Sequence, residues 1–460
     1  MLKPMRSLVW LVPCLGALGA CSVLVDTEKT RLGSVDGGAT ADRREDRTAD
    51  SSECSPVAVC TDGVLNRCED GEPVTETCAL GCASTEVRCA RMVPSNVSAD
   101  LWDEEAANVI LPSDAEVRFD TSTCDAAMTS TQVVTQSDGS EACVLQAGNF
   151  EVGENAILTI TGNRPLILMS SGNVVIDGVI DVSARGPEPG PGGFAGGQLL
   201  GNADGEGPGH GSGGSHASDD SDGGGGGGGL CGMGGDGGVG SGTAGGVGGE
   251  SIAGDWRLVP LHGGSGGGRG RGLITMDSIG SAGGAGGGAL QISALGNMTV
   301  RGGILAGGGG GRGGSSAIML PTSTGSSGGG GGSGGTVLLE ALSVTLSGDG
   351  FIRAIGGAGG GGADDTSSGG TGEDGVLAVT RAGGGASGGD LGADGGDSGG
   401  DDQLPGDSGR ENNRRGGNGG GGGGSAGCVV VHAADGRVPG RARINPRTPP
   451  GIRTGMPMHD

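Results

Sequence analysis

Apolar residues in this chain come in short runs, broken by small or polar turns, and one order of runs recurs. It is read in RPLILMSSGNVVIDGVIDVSARG from position 164, GGALQISALGNMTVRGGILAGGGGG from 287, SGGTVLLEALSVTLSGDGFIRAIGGAGGGG from 333 and AGCVVVHAADGRVPGRARINP from 426. Each copy has an apolar strand, a turn, a second strand around Val and a third short strand, and the first three then dissolve into glycine. Short Val, Ile and Leu strands recurring in one order fit the coils of a parallel β-solenoid that hides its apolar side chains inside. The irregular period predicts Gly-rich insertions of different length leaving at one corner, since per-repeat insertions gather on one face. The fold class expected is therefore all-β: a short right-handed parallel β-solenoid over 164–446 with long Gly-rich insertions, and a C-terminal tail over 447–460.

The residues before 164 divide into further zones. Residues 92–163 read as a small β region, with β-prone runs AEVRFDTST, TQVVTQ and AILTITG. Cys124 and Cys143 bracket a turn at Asp138-Gly139 and are expected to bond across a hairpin or adjacent strands. Residues 54–91 form a six-cysteine module of Cys54, Cys60, Cys68, Cys78, Cys82 and Cys89. Asp62-Gly63 and Asp70-Gly71 are hairpin turn signals within it, because Gly tolerates positive φ. So short a module needs staples rather than a core, and fifteen connectivities are open. Zinc is the rival, weakened by the lack of a CxxC pair or a His in the module. Residues 21–53 are polar and charged without apolar period and read as a disordered tether.

The first 20 residues are no part of the fold. The apolar run from Ser7 to Leu18, about 12 residues, falls short of the roughly 20 that span a bilayer and reads as a signal peptide. With Lys3 and Arg6 before it and Leu18-Gly19-Ala20-Cys21 at its end, it resembles a bacterial lipoprotein signal. The resemblance implies that Cys21 is the mature N-terminus, carries palmitate-type lipid and tethers the chain to the membrane. An ordinary secretory signal with an incidental cysteine is the alternative. Ser22, where Asp marks inner-membrane retention in the best-studied sorting rule, implies passage to the outer membrane. Setting aside Cys14 and Cys21, ten cysteines remain; an even number in an exported protein reads as five disulfides. Cys231 and Cys428 stand at opposite ends of the Gly-rich region, so a bond between them would tie the first long insertion to the last coil.

Composition changes the picture further. Glycine supplies 114 of 460 residues, Tyr is absent, Phe numbers 4 and Trp 3, and the net charge is −25. So few large side chains cannot build one large conventional core. So acidic a chain, with Lys3 and Lys29 its only lysines, excludes nucleic-acid binding, which needs a basic face. The runs Gly223 to Gly229, Gly307 to Gly311, Gly328 to Gly332 and Gly419 to Gly424 lack a strict G-X-Y period, which excludes collagen. The default expectation is irregular loops, because glycine loses most entropy on ordering. The other reading is extended polyproline-II-like strands packed side by side.

Candidate chemistry is sparse. Gly396-Asp397-Ser398-Gly399-Gly400 copies the string around a trypsin-like nucleophile. None of His210, His216, His262, His432 and His459 sits in a matching context, and in a Gly, Asp and Ser tract the string is expected by accident. Gly369 to Leu377 fits one calcium nonapeptide, but such sites share each ion between tandem copies and no second copy is in register. Calcium thus stays a weak option at Asp219, Asp220, Asp222, Asp364, Asp365, Asp401 and Asp402. No GxGxxG string sits in a βαβ unit, so dinucleotide binding is rejected. Asp177 and Asp181, in VVIDGVIDVSA, are the acids a polysaccharide-cleaving β-helix would use; their alternation with Val and Ile instead predicts turn caps or solvent-facing positions. Of the mature aromatics Trp102, Trp256, Phe119, Phe150, Phe194 and Phe351, only Trp256 and Phe194 fall in inserted loops, as candidates for an exposed platform.

The lipoprotein signal, the cysteine module and the ILM-turn-VVIDGVIDVSA coil together resemble the Gly-rich, right-handed β-helix lipoproteins of myxobacterial type, over roughly Cys21 to Pro446. The resemblance implies fold and location more than chemistry. The role expected is a non-enzymatic lipoprotein of the outer membrane, displayed at the cell surface for adhesion or matrix contact, with polysaccharide or matrix as partner and no nucleotide. A carbohydrate-active β-helix protein (lyase- or hydrolase-like) and a purely structural spacer are the alternatives.

Overall fold

The computed structural model describes residues 57–84, 86–126, 129–216, 221–252, 258–272, 280–319, 322–434, 436–438, 440, 443–449, 451–455 and 458–459. Cys21, Cys54, Trp256, Asp219 and Asp220 lie outside the described residues. Among those described, the regular secondary structure is nearly all β-strand, with one 3-10 turn at Ala99–Leu101 and no α-helix.

Three parallel sheets hold the main core. The first contains Glu141–Ala147, Leu166–Ser170, Ala289–Ala294, Thr336–Ala341, Cys428–Ala433 and Ile452–Gly455. Thr131–Thr135 adds antiparallel to its first edge, across the Asp138-Gly139 turn. The second sheet contains Val109–Leu111, Phe150–Val152, Val174–Ile176, Asn297–Val300 and Ser343–Leu346. The third contains Glu116–Asp120, Ile157–Thr161, Val179–Asp181, Gly303–Leu305, Phe351–Arg353 and Ile444–Asn445. From Glu141 to Arg353 the chain enters the first sheet, then the second, then the third, and repeats; the last circuit passes from Cys428–Ala433 to Ile444–Asn445 without a described strand in the second sheet, where the sequence had suggested one. Residues 92–163 are therefore not a separate region: Leu166 pairs with Cys143 on one side and Leu290 on the other. Nor is the tail separate, since Val429 pairs with Ile452 and Met458–His459 pairs with Met92–Val93.

Register explains which residues are apolar. Cys143, Leu166, Leu290, Val337, Val429 and Ile452 stack in successive strands of the first sheet. Phe150, Val174, Met298 and Val344 do so in the second, and Leu158, Ile180, Ile304, Ile352 and Ile444 in the third. All belong to one buried cluster. Strands of the second and third sheets alternate buried and half-exposed positions, as sheets with one solvated face do. In the first sheet Leu166–Ser170, Ala289–Ala294, Thr336–Ala341 and Cys428–Ala433 are buried throughout, and at its start Val97, Leu101, Trp102, Val134 and Leu261 cover the outer face of Ala142, Val144, Ile167, Met169 and Ala289. That double burial is why LILMS and VLLEA read as continuous apolar runs.

An asparagine ladder spaces the rungs between the first and second sheets. Asn108 Oδ1 accepts from the Asn149 backbone N–H at 2.7 Å, Asn149 Oδ1 from that of Asn173 at 2.9 Å, and Asn173 Oδ1 from that of Asn297 at 2.8 Å. A glycine precedes three of these asparagines because the ladder fills its side-chain space: a Cβ at Gly172 would lie 2.4 Å from Asn149 Oδ1, and one at Gly296 2.5 Å from Asn173 Oδ1. Asn173→Ala, which orphans the Asn297 N–H at an exposed corner, is expected to cost about 1 kcal/mol. The shift in the urea midpoint would measure it.

The three glycine-rich insertions, 182–288, 306–335 and 354–427, all leave the third sheet and return to the first, at the expected single corner. Their described glycine runs are regularly hydrogen-bonded, which overturns the irregular-loop expectation for those runs. In the run at 223–229, N–H groups of successive residues point to three different neighbours and the pattern repeats every third residue. Gly224 and Gly227 donate to Gly238 and Gly235, Gly225 and Gly228 to Gly328 and Gly331, and Gly226 and Gly229 to Ser212 and Gly209. Carbonyls of the same run accept from three more: Gly224 and Gly227 from Gly246 and Gly249, Gly225 and Gly228 from Gly422 and Ser425, and Gly226 from Gly268. A three-residue period without internal hydrogen bonds is polyproline-II geometry, and neighbours on all sides make the array hexagonal. The runs at 328–332 and 419–424 have the same three-residue pattern.

Glycine is demanded here by packing rather than by backbone angle. No residue of these three runs has positive φ. A Cβ, however, would meet a neighbour's carbonyl oxygen at 2.0 Å from Gly227, 2.1 Å from Gly330 and 2.0 Å from Gly421. Dense backbone hydrogen bonding offsets the ordering entropy that had favoured loops.

Disulfides tie the parts together. Cys231–Cys428 links the first insertion to a strand of the first sheet, and Cys124–Cys143 staples the hairpin end. In the cysteine module Cys60–Cys82 and Cys78–Cys89 are bonded, and Cys68 is disulfide-bonded as well. The sulfurs of Cys60, Cys78 and Cys82 do cluster, but as parts of two disulfides, so zinc loses its thiolates. The Asp62-Gly63 and Asp70-Gly71 turns join Val59–Thr61, Val64–Glu69 and Glu72–Thr77 into a meander, and all four turn residues have positive φ.

Candidate functional site

Carboxylates on the periphery of the glycine array take over where a neighbour is missing. Asp397 accepts from the Gly384 N–H at 2.8 Å, Asp394 from Ser387 at 2.8 Å, Asp236 from Gly248 at 2.8 Å, and Asp204 from Gly213 at 2.8 Å. Asp374 accepts from both Gly186, at 2.9 Å, and Gly310, at 2.7 Å. An edge of unpaired N–H groups calls for acceptors, which explains acidic rather than basic decoration. The aspartate of the lone nonapeptide match, Asp374, thereby acts as a backbone cap. Asp364 accepts from Thr366 and Ser367 N–H groups. Burial opposes its ionisation, but these bonds outweigh it and hold its carboxyl below the ordinary 3.8.

A concave surface combining charge with an aromatic ring lies beside the first insertion. It is a cleft of about 730 Å³ where the Asp138-Gly139 turn, the corner at Arg164-Pro165, and the loops at Gly192 to Phe194, Pro208 and His262 meet. His262 Nε2 lies 2.9 Å from Asp138 Oδ2, and the Phe194 ring centroid 6.2 Å from that of His262. Arg164 pairs with Glu141 through Nε at 2.8 Å and Nη2 at 2.7 Å, and its Nη1 donates to the Thr121 and Ser122 carbonyls. The backbone fixes the aromatic: the Phe194 N–H donates to Gly264 O at 3.1 Å, and Gly207 leaves room for the ring, since a Cβ there would lie 2.8 Å from it. The Ser140 hydroxyl, foremost, with the Ser140 N–H and the neighbouring His262, holds the Asp138 carboxyl below its ordinary value against the opposing effect of burial.

Both depressed carboxyls carry the same sign for stability. Each binds its proton less readily folded than unfolded, so its contribution is present above the unfolded value of 3.8 and is lost as pH falls through the folded one. The thermal midpoint is expected to fall between pH 4 and pH 3 (about the unfolded value and below), and a pH series by calorimetry checks this. Asp138→Asn should flatten part of the fall.

A second polar cluster is buried. Glu340 accepts from the Ser95 N–H at 3.1 Å, Ser95 Oγ at 2.5 Å, Gln291 Nε2 at 3.1 Å and Ser293 Oγ at 2.8 Å, and His432 Nδ1 lies 3.3 Å away. Glu340 and His432 are 0% and 2% exposed. The cluster clamps the segment at Ser95 onto the first sheet, with Glu340 and His432 buried and Ser95 half-buried at the wall of a small cavity.

The residues singled out in the sequence are scattered. Asp177 forms a bidentate pair with Arg301 of the next rung, at 2.6 and 2.9 Å, and Asp181, 5% exposed, pairs with Arg185 and caps the Ser183 N–H. Asp181 caps a turn, as expected, whereas the Asp177 pair across to Arg301 goes beyond the turn-cap or solvent-facing expectation. Ser398 is fully buried and accepts from the Ala382 N–H, so the protease-like string is part of the array. Asp222 is buried against His216 at 2.7 Å and Asp401 pairs with Arg447. Phe119 and Phe150 are core residues, Trp102 donates to Met92 O, and Phe351 lies under the Arg353 guanidinium. Among the described aromatics, Phe194 alone enters the cleft. Asp138, Glu141 and Arg164 were not anticipated as a site, and His262 entered the sequence reading only as a histidine outside any protease-like context. No family model, curated protein or solved structure matches the chain.

Proposed function

We propose that this protein is a non-enzymatic, lipid-anchored display protein of the bacterial outer membrane, whose glycine array holds a rigid surface for adhesion or matrix contact at the cell surface. The observation that carries the reading is the order of that array. A tether or spacer needs length alone and is served by flexible glycine, whereas a contact surface gains from being preorganised. The array is fixed at both ends, to the third and first sheets, and pinned by Cys231–Cys428. On this reading the three sheets are the faces of a parallel β-solenoid, supported by the fixed order in which strands enter them. Its winding is right-handed, as nearly all parallel crossovers are. Cys21 supplies the anchor through the lipoprotein signal it resembles.

The test uses vesicles carrying the lipidated chain over surfaces coated with envelope and matrix polysaccharides. Adhesion well above that of empty vesicles is expected; adhesion no better than empty vesicles would refute the display reading and leave a spacer. Cys21→Ala is expected to release the chain from the membrane fraction and abolish lipid labelling.

A further inference from the structure

We infer that the cleft between Asp138, Glu141, Arg164, Phe194 and His262 binds a neutral pyranose unit of a polysaccharide. This rests on the display reading and names the ligand class of one site on that surface. The volume of about 730 Å³ lies in the range of small-molecule sites, roughly 300–1,000 Å³, and so has room for a sugar unit. Its chemistry is mixed in the way a sugar requires. The Phe194 ring, tilted 50° to the His262 ring at 6.2 Å, offers an apolar floor for the C–H face of a pyranose. Asp138 and Glu141, with side chains 38% and 51% exposed, offer carboxylate acceptors to hydroxyl groups at the rim.

Charge pairing selects neutral over acidic sugars. Arg164 faces Glu141 at 2.7 Å, and His262 faces Asp138 at 2.9 Å. An incoming uronate or sulfate would have to compete with a carboxylate already seated on each of these groups, within a chain of net charge −25. A hydroxyl-rich neutral ring needs no spare cation. It can add hydrogen bonds to charged groups that stay paired, which are the stronger kind. Positioning is inherited from the fold. Asp138 lies in the hairpin turn with the Ser140 N–H and hydroxyl on its other oxygen, and Arg164 is locked by two carbonyls. Phe194 and His262 sit on neighbouring strands of the glycine array, joined by the Gly263 N–H to Gly192 O bond.

The test measures binding of the full chain in detergent to dextran, laminarin and galactan as neutral probes and to alginate as the anionic one, by titration calorimetry. Expected is binding of at least one neutral polymer, weakened at least tenfold by Phe194→Ala and by Asp138→Asn, with alginate bound at least tenfold more weakly. His262→Gln, which keeps a polar planar group, guards against a folding artefact and is expected to weaken binding by a smaller factor with circular dichroism unchanged. Binding that survives all three substitutions overturns the cleft as the site while leaving display intact. Binding of alginate alone, or of no polymer by a chain whose vesicles still adhere, overturns the neutral-sugar assignment. Vesicles that do not adhere at all, with neutral polymer still bound at the cleft, overturn display and leave the inference standing.

Discussion

Gly421→Ala is expected to destabilise the protein by roughly 3 kcal/mol or more, or to prevent folding, although it adds one methyl group. The added Cβ would lie 2.0 Å from Gly329 O and 2.4 Å from the carbonyl carbon. The obstacle is backbone, which no rotamer change moves aside. Relief requires the runs at 328–332 and 419–424 to separate, and both are held by other neighbours: Gly329 donates to Arg312 O and Gly421 to Gly360 O. Overpacking in an ordinary core costs about 1–3 kcal/mol because side chains yield; here they are absent. Gly383→Ala is the matched control. It too lies in a glycine-rich stretch without positive φ, but its nearest obstacle is Glu373 Oε2, the end of a flexible side chain, at 3.7 Å. That substitution should change stability by less than about 0.5 kcal/mol. Chemical denaturation of the pair reads out the contrast; equal tolerance at both positions would mean the runs are not packed.

Replacing Cys231 and Cys428 together by Ser is expected to carry the next largest effect. The bond spans 197 residues of sequence. Most of the glycine-rich region lies inside that loop, and the chain-entropy treatment assigns closing a loop of that size about 5 kcal/mol. Both cysteines are buried with Leu230, and Ile252 and Leu258 pack against them, so the change also places hydroxyls among apolar groups. The loss should fall unevenly. The sheet strands Leu166–Ser170 and Ala289–Ala294 keep their partners without the bond, whereas the insertion at 209–250 loses its covalent tie to the first sheet. Limited proteolysis should therefore cut the variant within 209–250 first. Removing Cys124 and Cys143, separated by only 19 residues, is expected to cost less, about 3 kcal/mol on the same treatment.

What was legible in the sequence follows from side-chain chemistry. Strands such as Leu166–Ser170 and Val174–Ile176 could be read because burial demands Leu, Ile and Val, and the corner of departure could be read because glycine follows each third strand. The rungs before position 164 were missed as rungs because Val117 and Ile157 face solvent and blur the alternation. The recurring Gly-Asn at 148–149, 172–173 and 296–297 was the available signal: it marks the ladder that spaces the rungs.

The glycine array was weighed and set below loops, for a physical reason. Its three-residue period lies in the direction of N–H groups, and a run of identical residues leaves no trace of that in sequence. The indirect signs were acceptors at the edge, Asp394, Asp397 and Asp236, and a cysteine at each end. The cleft was illegible for another reason. Asp138, Arg164, Phe194 and His262 belong to four separate segments, and only the packing of the first insertion against the hairpin turn brings them together.

The central claim is that the glycine runs form a hydrogen-bonded array as firm as the sheets. Native-state hydrogen exchange resolved by residue measures it directly. Amides of 223–229, 328–332 and 419–424 are predicted to exchange with protection matching Leu166–Ser170, since each donates to a neighbouring run and opens only when the array opens. Exchange of those amides at the rate of an unstructured chain, with Leu166–Ser170 still protected, would contradict the account.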